Sequence, residues 1–288
     1  MISLLLSILS SCLIYVVFKL IGRHQVTTIY AITFNYITAF ITGLLIQRQD
    51  FSLDGMFQQD WLVGSSILGF LYIGVFFLMA ITTKKSGLSV VSVAGKMSLA
   101  LPVLFIFFYD GEEITIVKIL GIILAFLALY LSSVKTESSF AGNWTDLLFP
   151  LLVFLGSGTV DTLTQFLENN YVGEDQVAFF SAMVFAAAGI VGVLASVIHF
   201  FKNNRKILFK DILAGIGLGL PNYFSIYFLI GALRSDIANT KVFILNNVAI
   251  VLISTLLGIL FFNEKLLKKN WIGIGLAVIS IILISISI

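Results

Sequence analysis

The chain has 288 residues, of which 59% are hydrophobic and only 11% charged, with 27 phenylalanines and a mean hydropathy of +1.07. That leaves too little polar surface to wrap a water-soluble fold, so an all-α membrane protein is expected. A net charge of +2, with no cluster of Lys and Arg among aromatics, excludes nucleic acid as a partner. The one cysteine, Cys12, excludes an intrachain disulfide and a cysteine zinc site.

Crossing about 30 Å of hydrocarbon takes about 20 apolar residues at 1.5 Å each. Ten such stretches are predicted, at residues 2–21, 27–46, 61–82, 87–108, 114–133, 147–166, 177–200, 211–233, 237–262 and 270–288. The first lacks a basic leading region and a small-residue cleavage site, and is expected to remain as span 1. No connection is long enough to form a domain, so the chemistry belongs to the bundle and its ends.

In span 2, Asn35 is expected to hydrogen-bond a neighbouring helix. Span 4 contains SVAGKMSLALP, with Lys96 about 14 Å from the start of the span, too deep to reach water comfortably by snorkelling. A lysine at that depth needs a wet cavity or an acidic partner. Ser89, Ser92 and Ala100 share its face at helical spacing. In span 6, Ser157, Asp161, Gln165 and Glu168 form a polar stripe, and Asp161 is the only carboxylate well inside a predicted span. Spans 4 and 6 start on the same side, and the two charges differ in depth by about 8 Å. They either meet as an ion pair or are bridged by a substrate, such as a zwitterion with its carboxylate on Lys96 and its ammonium on Asp161. A third role for Asp161 is to take up and release a proton.

In span 8, GLGLPNYF with Gly217, Gly219 and Pro221 is expected to interrupt the helix, placing Asn222 and Tyr223 at a cavity. Asn246 and Asn247 of span 9 are expected to line the same cavity. Spans 5 and 10 have small-residue faces, Gly121, Ala125 and Ala128 in one and Gly273 and Ala277 in the other, expected to pack helices and to offer a homodimer contact. Neither His24 nor His199 lies in a metal-spaced pair, and no nucleophile and base stand at diagnostic spacing, so no metal, cofactor or catalytic set is expected.

Shifting the chain by 152 residues lays GEEITIVKILGIILAFLALYLSS on NEKLLKKNWIGIGLAVISIILIS, so that Glu112 meets Glu264 and Gly121 meets Gly273. Two copies of five spans, residues 1–136 and 137–288, are read from this register. An odd number of spans per copy forces opposite insertion, giving two inverted five-helix repeats, an architecture of secondary transporters. Glu112 and Glu264 stand early in spans 5 and 10, where capping of those helices is expected.

This pattern resembles the ten-helix drug/metabolite transporters built from two EamA domains. The resemblance rests on the five-plus-five organisation, Pro102 in span 4, Lys19 ending span 1, and the run Gly111, Glu112, Thr115 and Gly121. The second copy keeps Glu264 and Gly273 but has Asn263 for the glycine and Ser254 where the proline would fall. The resemblance implies a multi-pass protein of a bacterial inner membrane that exports small organic metabolites by alternating access, and Lys96 with Asp161 points to an amino-acid-like or anionic one. Cationic drug efflux is disfavoured because the small multidrug relatives use an acidic residue in their first helix, where this chain has only Lys19. An intramembrane enzyme or a non-transporting sensor finds no supporting residues.

Of the 17 Lys and Arg residues, twelve flank the connections that follow odd-numbered spans and four flank the others, with Lys96 between. The positive-inside rule therefore predicts both termini outside, whereas the family resemblance implies both inside.

Overall fold

In hydrocarbon the backbone finds no water, so a chain this apolar folds as helices that satisfy their own N–H and C=O groups. The structure, a computed structural model, describes residues 1–47, 59–110, 115–134, 144–173, 176–235 and 239–286. Its helices are α1 (Ile2–Arg23), α2 (Thr28–Gln47), α3 (Leu62–Ser86), α4 (Leu88–Met97), α5 (Ala100–Asp110), α6 (Ile116–Ser133), α7 (Trp144–Tyr171), α8 (Val177–Asn203), α9 (Phe209–Leu233), α10 (Asn239–Phe262) and α11 (Lys268–Ile286). Among the described residues there is no strand, and ten helical stretches are long and apolar enough to cross a membrane, with α4 and α5 forming one of them.

The fourth span is broken where a continuous helix was expected. Pro102 has no N–H to give to the Ser98 carbonyl, and its ring crowds that carbonyl. The chain answers with a tight turn at Ser98 and Leu99, in which the Leu101 N–H bonds Ser98 O at 2.9 Å, and α5 restarts with Pro102 in its first turn. The interruption expected at Pro221 does not occur, because α9 runs unbroken from Phe209 to Leu233. It is held against α2 so closely that a Cβ on Gly219 would stand 2.5 Å from the Asn35 carbonyl oxygen. Packing along the whole helix thus overrides the proline in α9, while α4 yields to it.

Two ends of the bundle can be distinguished. At the base, the α1/α2 and α8/α9 links meet: the Thr27 N–H bonds Asp211 Oδ1 at 2.8 Å and the Tyr30 hydroxyl bonds Arg205 O at 2.6 Å. The Asn270 amide also reaches the carbonyls of Leu131, Ser132 and Val134 there, binding the end of α6 to the start of α11. At the opposite end, the mouth, the Ser7 hydroxyl bonds Ser225 O, and the Trp61 indole bonds Gln176 Oε1 at 3.1 Å. Both α1 and α11 have their free ends at the mouth.

The small-residue faces of α6 and α11 are filled by each other. The Ser280 hydroxyl bonds Gly121 O at 2.7 Å, and a Cβ on Gly273 would stand 2.6 Å from the Ser132 nitrogen. A homodimer contact was expected on these faces, but they are consumed inside the chain.

Glu264 corrects a second expectation. It stands in the 263–267 link, where Asn263 adopts a left-handed φ of 53°, and it does not cap α11, whose first turn is bound by Asn270 Oδ1 accepting from the Leu267 N–H at 2.8 Å. Instead its carboxylate crosses to α4. It accepts from the Leu88 N–H at 2.7 Å, the Ser89 N–H at 3.4 Å and the Ser89 hydroxyl at 3.0 Å, and pairs with Lys19 Nζ of α1 at 2.8 Å. Gly87, at φ 103°, turns the chain from α3 into α4 and leaves room for that carboxylate, since a Cβ there would stand 2.7 Å from Glu264 Oε1. Glu112 lies outside the described residues, and the N-cap of α6 is Thr115, whose hydroxyl accepts from the Lys118 N–H at 3.2 Å.

Candidate functional site

The break puts Lys96 in the last turn of α4, close to the middle of the span. The carbonyl end of a helix is its negative pole, a favourable place for a cation. The last carbonyls of a helix have no partner within it, and the Gly95 carbonyl here takes the Ser98 hydroxyl at 2.7 Å.

The exposure of the inward faces of three helices increases from the base toward the mouth. On one face of α7, Phe154 and Gly158 are buried, while Asp161 and Gln165, further toward the mouth, are exposed. The lipid-facing stripe of α7, with Leu148, Leu152, Leu155 and Thr159 exposed, is on the opposite side of the helix, so Asp161 and Gln165 face an internal space. The interior face of α10 repeats the gradient: Phe243 is exposed, Asn247 half-buried, and Val251, Ser254 and Gly258 buried. Along α4 every residue from Leu88 to Ala94 is buried, and Gly95 and Lys96 are the first to be partly open.

Lys96 and Asp161 thus both stand where the buried base half of their helices gives way to exposed positions. They are near enough to feel each other's charge, yet they form no ion pair; Lys19 with Glu264 is the one ion pair among the described residues. Lys96 makes no hydrogen bond among the described residues, and Asp161 Oδ2 takes only the Ser98 hydroxyl, at 3.3 Å. Two tyrosines stand beside them. The Tyr15 hydroxyl stands 3.3 Å from where a Cβ on Gly95 would be, and Tyr72 lies within reach of both Asp161 and Glu168, beside Thr164. Sequence reasoning missed Tyr15, Tyr72 and Ser98. Only the place of Ser98, four residues before Pro102, could have signalled one of them.

The other expected residues divide. Gln165 stands on the face of Asp161, and Asn247 is half-buried on the interior face of α10. Ser92 is fully buried and bonds Ser89 O of its own helix at 3.0 Å. Asn222 donates to Asn35 Oδ1 at 3.3 Å, joining α9 to α2, and Asn246 accepts from the Ser7 hydroxyl at 3.2 Å, joining α10 to α1. Tyr223 is buried against α2, its ring stacked on Tyr227 with centroids 6.0 Å apart. Asn222, Asn246 and Tyr223 hold helices together, while Ser92 is tied within its own helix. Among the described residues no three His, Cys, Asp or Glu side chains gather as a metal site would require.

The family model of the EamA-like transporter family matches residues 144–286. A protein of Haemophilus influenzae, described only as uncharacterized, is 30% identical over 280 residues, which cover 94% of this chain and 93% of that protein. A solved crystal structure shares the fold with a TM-score of 0.61 at 16% identity, covering 98% of this chain and 95% of the other. With ten apolar spans and a full-length relative at this identity, the chain belongs to the EamA-like transporter family and is an integral, multi-pass membrane transporter of small substrates.

Proposed function

We propose that the chain is a secondary transporter, and an exporter, of small organic metabolites in a bacterial inner membrane, and that its substrate binds between Lys96 and Asp161. The observation that carries this reading is the unpaired state of the two charges where the buried base half of their helices gives way to exposed positions. Opposite charges inside a membrane protein ordinarily pair or find other partners. Two that lie close to each other without pairing fit a ligand with an anionic and a cationic end, as an amino-acid-like zwitterion has. The lysine's place beside a helix break supports the same reading, because transporter sites gather where a membrane helix is interrupted. The two halves, read as inverted repeats, would rock about this point, closing the mouth and opening the base. No Walker A sequence is present, so this chain itself does not use ATP, and a solute or ion gradient is the proposed driving force.

The test is uptake and counterflow in proteoliposomes across amino acids, organic acids, phosphate esters and amines. Flux is expected for a zwitterionic or anionic compound, and K96Q is expected to abolish it while leaving thermal unfolding unchanged. A K96Q protein that unfolds early and is rescued by adding D161N would show instead that the two residues serve the fold as a pair.

A further inference from the structure

We propose that Asp161 binds the proton that is coupled to transport, and that Ser98 conveys its protonation to the break between α4 and α5. The inference rests on the transport reading above and adds the coupling ion to it.

The argument is one of hydrogen-bond capacity. The Ser98 hydroxyl lies 2.7 Å from the Gly95 carbonyl oxygen and 3.3 Å from Asp161 Oδ2. A hydroxyl has one proton to give, a carbonyl can only accept, and an ionised carboxylate can only accept. With Asp161 ionised, Ser98 can therefore satisfy one of the two acceptors and must leave the other. When a proton from water in the cavity joins the carboxylate, one new O–H bond forms. Asp161 then donates to Ser98 Oγ, while Ser98 donates to Gly95 O. Both contacts are then true hydrogen bonds, and nothing else in the site has to change.

Gly95 is in the last turn of α4, next to Lys96 and just before the turn at Ser98 and Leu99. The protonated form ties the Ser98 hydroxyl to that last turn. The ionised form draws it toward α7 and leaves the Gly95 carbonyl without its partner. One hydroxyl thus reports the charge of α7 to the one break in a membrane span among the described residues. A proton and the cationic end of a substrate both neutralise the same carboxylate, so they exclude one another at Asp161, which is the requirement for exchange of one for the other.

The charged and titratable groups around Asp161 come from several helices. Lys96 faces it from α4, Tyr15 from α1 and Tyr72 from α3, with Glu168 further along α7 itself. On α5, Tyr109 lies nearer the mouth against Phe166, and α6 meets α7 nearer the base, where Phe126 packs on Phe154.

Infrared difference spectroscopy of the full chain in proteoliposomes, titrated in pH without any substrate, tests this. The wild-type protein is expected to show the C=O stretch of a protonated carboxyl group that D161N lacks. In S98A the band is expected to persist at a shifted frequency, and in Ser98→Thr, which keeps the hydroxyl, to return to its wild-type position. Exchange of the backbone amides at 95–101, corrected for intrinsic pH dependence, should change across the same titration in wild type and stay flat in S98A. A spectrum in which D161N removes no band, or in which S98A leaves the band and the exchange unaltered, would overturn the proposal. Because no substrate enters this measurement, its failure is distinct from a failure to find flux.

Discussion

The two ends of α4 are held in opposite ways. At the base, one carboxylate, Glu264, takes two backbone N–H groups and a hydroxyl from α4 and pairs with Lys19 of α1, in a setting where Leu88 to Ala94 are all buried. At mid-membrane, a single Ser98 hydroxyl is shared between Gly95 and Asp161, and Lys96 beside it has no bonded partner among the described residues. The base is a joint whose polar groups are satisfied by the chain. At mid-membrane polar groups are left that the proposed substrate would satisfy. The same ten-residue helix therefore receives a capping carboxylate at one end and carries the lysine of the proposed substrate site at the other.

The largest effect is expected from breaking the joint. E264A removes the cap of α4 and leaves Lys19 without its partner, which should destabilise the protein by about 3 kcal/mol, read as a lower thermal midpoint in detergent. The same change should speed the reaction of Ser92→Cys, in a chain carrying Cys12→Ser, with a water-soluble maleimide, since Ser92 is buried in the intact protein. At the other end, K96Q should weaken substrate binding by about 1.5–3 kcal/mol or more, at least roughly ten- to a hundredfold in apparent affinity and enough to abolish flux at low substrate concentration, with no shift in thermal midpoint. This contrast separates the joint from the proposed site: one substitution lowers stability, the other only binding. A smaller effect is expected from P102A, which restores an N–H and removes the ring that forces the turn at Ser98 and Leu99. It should raise stability by up to about 1 kcal/mol while slowing flux, as a continuous helix replaces the break.

Much of this arrangement is visible in the sequence, for reasons that are local. Each span announces itself by about 20 apolar residues, because the hydrocarbon admits little else. Lys96 and Asp161 stand out because an ionisable group at that depth is costly unless it faces water or a partner. What the sequence conceals depends on which helix touches which. Pro102 and Pro221 obey the same rule locally, and only the tight packing of α9 on α2 explains why the second leaves its helix intact. Asn222 and Asn246 look like cavity residues until their partners, Asn35 and Ser7, are known. Glu264 looks like a cap for the helix that follows it, and the left-handed Asn263 accompanies its turn toward a helix 175 residues earlier in the chain. Tyr15 and Tyr72 are unremarked aromatics in apolar runs, and only the approach of α1 and α3 brings them to the site.

The most direct test of a site reached from one end only is the alkylation of single cysteines along the interior face of α10, in a chain carrying Cys12→Ser. Asn247→Cys, open toward the cavity, should react rapidly with a water-soluble maleimide added on the mouth side. Ser254→Cys, buried two turns nearer the base, should react slowly, and the difference should narrow when E264A is added. Equal rates at the two positions, or faster reaction at 254 with reagent supplied from the base, would contradict a cavity sealed by Glu264 and floored by Lys96 and Asp161.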